Sequence, residues 1–154
     1  MNGDGKLDLL VPDSNGTVVV YLGDGHGDFV LQSAVPIPPV IGGTGPTPPI
    51  TLVLADFNHD GKLDFATSSN GLVLGNGDGT FQTFTNIMAN PPWYGFAGIA
   101  VGDINNDGWP DLALTDVDYY IYNNNAYIML NDHHGGFTQA PTTFGANPHF
   151  SQTL

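Results

Sequence analysis

A recurring nonapeptide constrains the fold of this chain more than any other feature. Two copies are complete: Asp56-Phe57-Asn58-His59-Asp60-Gly61-Lys62-Leu63-Asp64 and Asp103-Ile104-Asn105-Asn106-Asp107-Gly108-Trp109-Pro110-Asp111. A third, Asn2-Gly3-Asp4-Gly5-Lys6-Leu7-Asp8, lacks its leading acid because the sequence begins inside it. Oxygen-bearing side chains stand at positions 1, 3, 5 and 9, and glycine at position 6 lets the backbone fold back. Such a loop sets hard oxygen ligands around one point, as Ca2+ requires. The expected ligands are Asp56, Asn58, Asp60 and Asp64 with the Lys62 carbonyl, and Asp103, Asn105, Asp107 and Asp111 with the Trp109 carbonyl. In the truncated copy they are Asn2, Asp4 and Asp8, with Lys6 at the carbonyl position. Solvated turns explain one nonapeptide of this kind, but not three with the same spacing.

These loops are not EF-hands. That motif needs a bidentate Glu at position 12 between two helices, whereas position 12 here is Thr67 or Leu114 and the flanks are apolar and strand-like. The expected local unit is a calcium loop joining two antiparallel strands.

After each loop and the strand that follows it comes a glycine-rich turn: Gly75-Asn76-Gly77-Asp78-Gly79-Thr80-Phe81 in the second repeat, Gly23-Asp24-Gly25-His26-Gly27-Asp28-Phe29 in the first, and Asn131-Asp132-His133-His134-Gly135-Gly136-Phe137 in the third. This succession resembles the FG-GAP/VCBS repeat of integrin α-chain propellers and of many bacterial surface and secreted proteins. The resemblance covers most of the chain. It implies one β-propeller blade of four antiparallel strands per repeat, with calcium held between the first two strands.

The repeat interval is 56 residues from Asp4 to Asp60 and 47 from Asp60 to Asp107, of the order expected for four-stranded blades. Abundant Gly and Pro, short Val/Ile/Leu/Phe/Tyr runs and no 3.6-residue periodicity predict an all-β chain. Residues 1–33 form the first blade without its strand A, 34–49 a Pro/Gly-rich linker, 50–85 the second blade and 86–95 a linker. Residues 96–140 form the third blade, and 141–154 fall where a fourth would start. The predicted strands A to D are 50–55, 63–68, 72–74 and 81–85 in the second repeat and 96–102, 111–115, 126–130 and 137–139 in the third. Strands B to D of the first repeat are 7–11, 17–22 and 29–32. Asn15-Gly16-Thr17 is a glycosylation sequon, but Asn-Gly between two strands reads first as a type I′ hairpin turn. About three blades, one short of a strand, make an incomplete propeller, or part of a larger or oligomeric one.

Charge narrows the partners. All fifteen acids are Asp, the only cations besides histidine are Lys6 and Lys62, and the formal net charge is −13. Nucleic acid is excluded as a partner because phosphate binding needs clustered Lys or Arg. No apolar run is long enough to insert in a membrane. Cysteine is absent, which removes disulfides and zinc-thiolate sites. Loops of this type in extracellular modules bind calcium at roughly 10⁻⁴ to 10⁻³ M, so an extracellular or cell-surface location is expected. Met1-Asn2-Gly3-Asp4 has neither a basic nor an apolar leader region, so the export signal is expected outside this chain.

In antiparallel blades the A–B and C–D loops share one end, and the B–C hairpins and inter-blade linkers share the other. That second end collects Trp93, Tyr94, Tyr119, Tyr120 and Tyr122 among Asp and Asn, a composition suited to a glycan or protein ligand. The same tyrosines also suit packing against neighbouring blades. Catalysis is not expected: outside the calcium loops only Asp116 and Asp118 stand close together as a carboxylate pair, and no nucleophile-and-base arrangement is legible. The functional expectation is a calcium-binding module for adhesion or for carbohydrate or protein recognition. Its rivals are a scaffold or filament subunit assembling by edge-strand addition, and a non-catalytic part of a polysaccharide-degrading enzyme. Further partners are the rest of a larger propeller or other copies of the chain.

Overall fold

The computed structural model describes residues 1–13, 15–37, 50–91, 96–116, 125–141 and 144–145. They form strands, turns and loops with no helix. The first sheet is a meander of β1 (Leu9–Pro12), β2 (Thr17–Gly23) and β3 (Phe29–Pro36). The second runs through β4 (Leu52–Ala55), β5 (Asp64–Thr67), β6 (Gly71–Val73) and β7 (Thr85–Asn86). The third runs through β8 (Phe96–Gly102), β9 (Asp111–Asp116), β10 (Asn125–Asn131) and β11 (Phe137–Gln139), and β12 (Phe144–Gly145) also pairs with β10. Every pairing is antiparallel. These are propeller-like blades, and the three sheets do not close into a barrel.

Alternation along the strands decides what each sheet buries. The second sheet lies in the middle, and every residue of β5 is buried. Phe65 and Val73 join Val18, Val20 and Val35 of the first sheet in one core cluster. Ala66 and Leu72, on the opposite face, join Leu112, Leu114 and Met129 of the third sheet in another. Burying each large side chain contributes about 1.5–3 kcal/mol, so the cohesion between sheets is chiefly apolar. Hydrogen bonds add to it: Ser33 Oγ donates to the Gly79 carbonyl (2.8 Å) and Asn131 Nδ2 to the Phe57 carbonyl (2.9 Å).

Several predicted boundaries shift. Strand D of the first repeat continues to Pro36, into the segment read as linker, with a register shift between Val20 and Tyr21 on its partner strand. In the second repeat strand D is reduced to a Gly75–Phe81 bridge and β7. The third repeat is interrupted in the same way between β11 and β12, so Phe144 and Gly145 pair within the third sheet, inside the segment read as the start of a fourth. The hairpin after β1 is not a type I′ turn, which needs positive φ at both central residues. Gly16 has it, but its amide donates to the Asp13 carbonyl (3.4 Å), so Asn15 and Gly16 are not the central pair of the turn, and the Asp13 side chain closes it by accepting the amides of Asn15 (2.8 Å) and Thr17 (3.1 Å).

Candidate metal loops and their carboxylate clamps

The three nonapeptides fold alike. Positions 4 and 6 are left-handed in each: Gly3 and Gly5, His59 and Gly61, Asn106 and Gly108. His and Asn tolerate that region better than most residues, while position 6 is glycine in every copy. In the second loop Asp56 accepts the amides of Asp60 (3.0 Å) and Gly61 (2.8 Å), Asn58 accepts that of Asp60 (3.1 Å), and Asp60 accepts that of Lys62 (3.0 Å). The third loop repeats these bonds. Asp103 accepts from Asp107 and Gly108 (both 3.0 Å), Asn105 from Asp107 (3.0 Å), and Asp107 from Trp109 (2.8 Å). In the first loop Asn2 accepts the Asp4 amide (3.2 Å) and Asp4 the Lys6 amide (2.9 Å).

Each position-9 Asp does more than complete a loop. Asp64 is fully buried. Its Oδ2 accepts the Phe57 amide (2.8 Å), and its Oδ1 accepts the Gly75 amide at the start of the glycine-rich turn (2.8 Å). Asp111, equally buried, accepts the amides of Ile104 (2.9 Å) and Asn131 (2.8 Å). Asp8 takes the Gly23 amide (3.0 Å) and the N-terminal amine of Met1. The carboxylate therefore clamps the A–B loop to the C–D turn in every repeat. Gly23 and Gly75 are glycine at this point because a Cβ would overlap the carbonyls of Leu7 and Leu63. In the third repeat the place is held by Asn131.

Electrostatics sets Asp64 apart from the rim of its loop. Burial pushes the Asp64 carboxyl above its ordinary value; the Gly75 and Phe57 amides oppose the rise, and the charges of Asp60 and Asp56 add to it. Asp107 is held low by the Trp109 amide, then by His133 and Asn105, and Asp4 by the Lys6 amide. At Asp60 desolvation acts upward, but the Lys62 amide, Asn58 and the Lys62 ammonium bring the net shift down. Every position-5 acid has a basic neighbour: Lys6 Nζ lies 3.8 Å from Asp4, Lys62 Nζ 3.3 Å from Asp60, and His133 Nε2 2.9 Å from Asp107.

His133 belongs to a stack that sequence reasoning missed. The Trp109 ring lies between His59 (centroids 3.9 Å apart, planes 11°) and His133 (4.6 Å, 14°). The stack ties the second loop, the third loop and the third glycine-rich turn together, and histidines cover both faces of the indole. Asn131 adds a bond from Nδ2 to the Pro110 carbonyl (3.2 Å). No sequence signal links His59 to Trp109, since they stand at different loop positions, 4 and 7, in different repeats.

The other candidates divide. Trp93, Tyr94, Tyr119, Tyr120 and Tyr122 lie outside the described residues. So does Asp118. Asp116 is buried and accepts the Asn125 amide (2.7 Å) and the Tyr127 hydroxyl (3.0 Å), which makes it a strut of the third sheet. Among the described residues no three His, Cys, Asp or Glu side chains form a metal-ligating cluster; in the loops the acids turn to backbone amides. In the second loop each oxygen of Asp56 and Asp64 accepts one amide and keeps a further lone pair, and the donor set is entirely oxygen, which fits a hard cation.

The sequence profile of the FG-GAP-like repeat matches residues 1–67 and again residues 56–114. The chain belongs to the FG-GAP-like repeat family. No curated protein and no solved structure matches it significantly. The two profile matches span all three A–B loops and both clamps of the first two FG-GAP repeats. No helix of the described residues is long and apolar enough to cross a membrane.

Proposed function

We propose that this FG-GAP chain is a calcium-stabilised module of an extracellular protein, serving adhesion or recognition without turnover. One observation carries the calcium reading. Asp64 is a buried carboxylate flanked by the charges of Asp56 and Asp60, with no ion-pair partner among the described residues. Burying a charge that only amides compensate is costly, and a divalent cation between Asp56, Asn58, Asp60 and Asp64 offsets that cost. The third loop repeats the arrangement with Asp103, Asn105, Asp107 and Asp111. Bound calcium would neutralise the acids and cross-link the loop, with the carbonyls of Lys62 and Trp109 as further ligands.

Recognition in place of catalysis is supported by the use already made of Asp116, the described acid of the Asp116 and Asp118 pair, as a strut of the third sheet. A glycan or protein ligand would be met by the Trp93, Tyr94, Tyr119, Tyr120 and Tyr122 end, because both faces of Trp109 are taken by histidines and offer nothing to stack on. The test is thermal unfolding in chelator and in millimolar calcium. The midpoint rises with calcium in the parent and rises less in Asp56→Ala and Asp103→Ala. An unchanged midpoint removes the calcium reading. A glycan array with the parent and Trp93→Ala separates recognition from a purely structural role.

A further inference from the structure

We propose that the second and third loops take up their cations as a coupled pair, through two connectors that reach from one repeat into the next. Coupling of this kind rests on the calcium reading above and makes each site answer to the other. The first connector is the ring stack. His59 stands at position 4 of the second loop, between the expected ligands Asn58 and Asp60, with a left-handed backbone (φ 55°). Its imidazole lies flat on Trp109, 3.9 Å away between centroids, and Trp109 holds position 7 of the third loop, where the backbone carbonyl is an expected ligand. The far face of the indole carries His133, whose Nε2 lies 2.9 Å from Asp107 at position 5 of the same loop.

The second connector is the Asn131 side chain at the base of the loops. Its Nδ2 donates to the Phe57 carbonyl of the second loop (2.9 Å) and to the Pro110 carbonyl of the third (3.2 Å), while its backbone amide is held by the Asp111 clamp (2.8 Å). Its Oδ1 accepts the His133 amide (2.9 Å), so both connectors meet in one turn.

Internal repetition supplies the control. Lys62, at position 7 of the second loop, packs over Gly77 as Trp109 packs over His133, but position 4 of the first loop is Gly3, and nothing stands within 4 Å of where its Cβ would be. Gly75 holds the place of Asn131 in the second repeat and has no side chain to send across. The connectors therefore belong to one junction and not to stacked repeats as such.

Both connectors need the two loops in these conformations. Without a cation, the three carboxylates of each complete loop repel one another, and ordering the loop is unfavourable. A cation in one loop fixes His59 or Trp109 and with it part of the order the other loop needs, so the second cation meets a loop already shaped. Charge alone acts the other way, since a cation in one loop repels a cation in the other. Positive coupling is thus the mark of the contacts, and linkage makes it equal in both directions.

Calcium titration followed by the Gly61 and Gly108 amide resonances tests this, because these amides, bonded to Asp56 and Asp103, report the two loops separately. Asp56→Ala weakens calcium at the third loop, read at Gly108, by about tenfold, and Asp103→Ala weakens it at the second, read at Gly61, by the same factor, an ordinary size for coupled sites. His59→Asn keeps every ligand and tolerates the left-handed backbone, yet it shifts the Gly108 midpoint as well as the Gly61 midpoint by about threefold. Two loops that bind calcium in the parent, with Gly108 indifferent to Asp56→Ala, overturn the coupling and leave the calcium reading standing. Unequal factors in the two directions overturn it too, since local damage need not be reciprocal. A Gly108 midpoint unmoved by His59→Asn overturns the stack as the carrier. Amides that ignore millimolar calcium in the parent remove the calcium reading, and the coupling with it.

Discussion

Asp64→Ala removes the one acceptor shared by two amides, Phe57 and Gly75, which lie 2.8 Å from its two oxygens. Alanine reaches neither. Each buried donor left without a partner costs about 1–3 kcal/mol, so the pair amounts to about 2–6 kcal/mol. Relief of the buried charge works the other way: desolvation and the charges of Asp60 and Asp56 already disfavour the ionised form. The net loss therefore belongs in the lower half of that range, still a large part of a typical total of about 5–15 kcal/mol. Chemical denaturation in the presence of chelator measures it without any contribution from a cation. Amide exchange supplies the local readout, with the Phe57 and Gly75 amides losing protection while Ile104 and Asn131 keep theirs on Asp111. A loss below about 1 kcal/mol, less than one orphaned donor, would refute the clamp.

Three further outcomes follow from the same geometry. Gly75→Ala drives a Cβ into the Leu63 carbonyl, and the backbone shift should cost about 1–3 kcal/mol in the same denaturation assay; an unaltered midpoint contradicts the close approach. Thr67 Oγ1 is buried without a hydrogen-bond partner, so Thr67→Val should stabilise by about 1 kcal/mol, and a lowered midpoint argues against it. The Asp24 carboxyl is held below its ordinary 3.8 by the His26 amide and then Asp28, and that of Asp132 by the amides of His134 and Gly136. With folded values depressed, their stabilisation is complete above 3.8 and is lost as pH falls through the folded values; carboxyl NMR titration should place both midpoints below 3.8.

What could be read from the sequence was the chemistry that acts over a few residues. Asp and Gly at fixed spacing dictated the loops, and β8 and β11 begin and end where the sequence placed strands A and D of the third repeat. The identity of the repeat was legible for the same reason. The clamp was only half legible: position 9 was seen as a ligand, but its bond to Gly75 spans 11 residues and that of Asp111 to Asn131 spans 20. Glycine or asparagine opening every C–D turn was the available signal. The stack of His59, Trp109 and His133 and the Asn131 bond to Phe57 join different repeats, and nothing in local pattern encodes such contacts. Strand D leaves the ladder between Gln82, whose amide still donates to the Leu74 carbonyl (2.8 Å), and Thr85, and there Phe84 packs against Gly71, a contact that local propensity does not encode.

Calorimetric titration with calcium, carried out on the parent and on an Asp56→Ala, Asp103→Ala double variant, tests the central claim most directly. The account predicts saturable binding by the parent, with at least one cation for each complete loop, and loss of those sites in a double variant that remains folded. Absence of binding by the parent at millimolar calcium, or equal binding by the double variant, would contradict it.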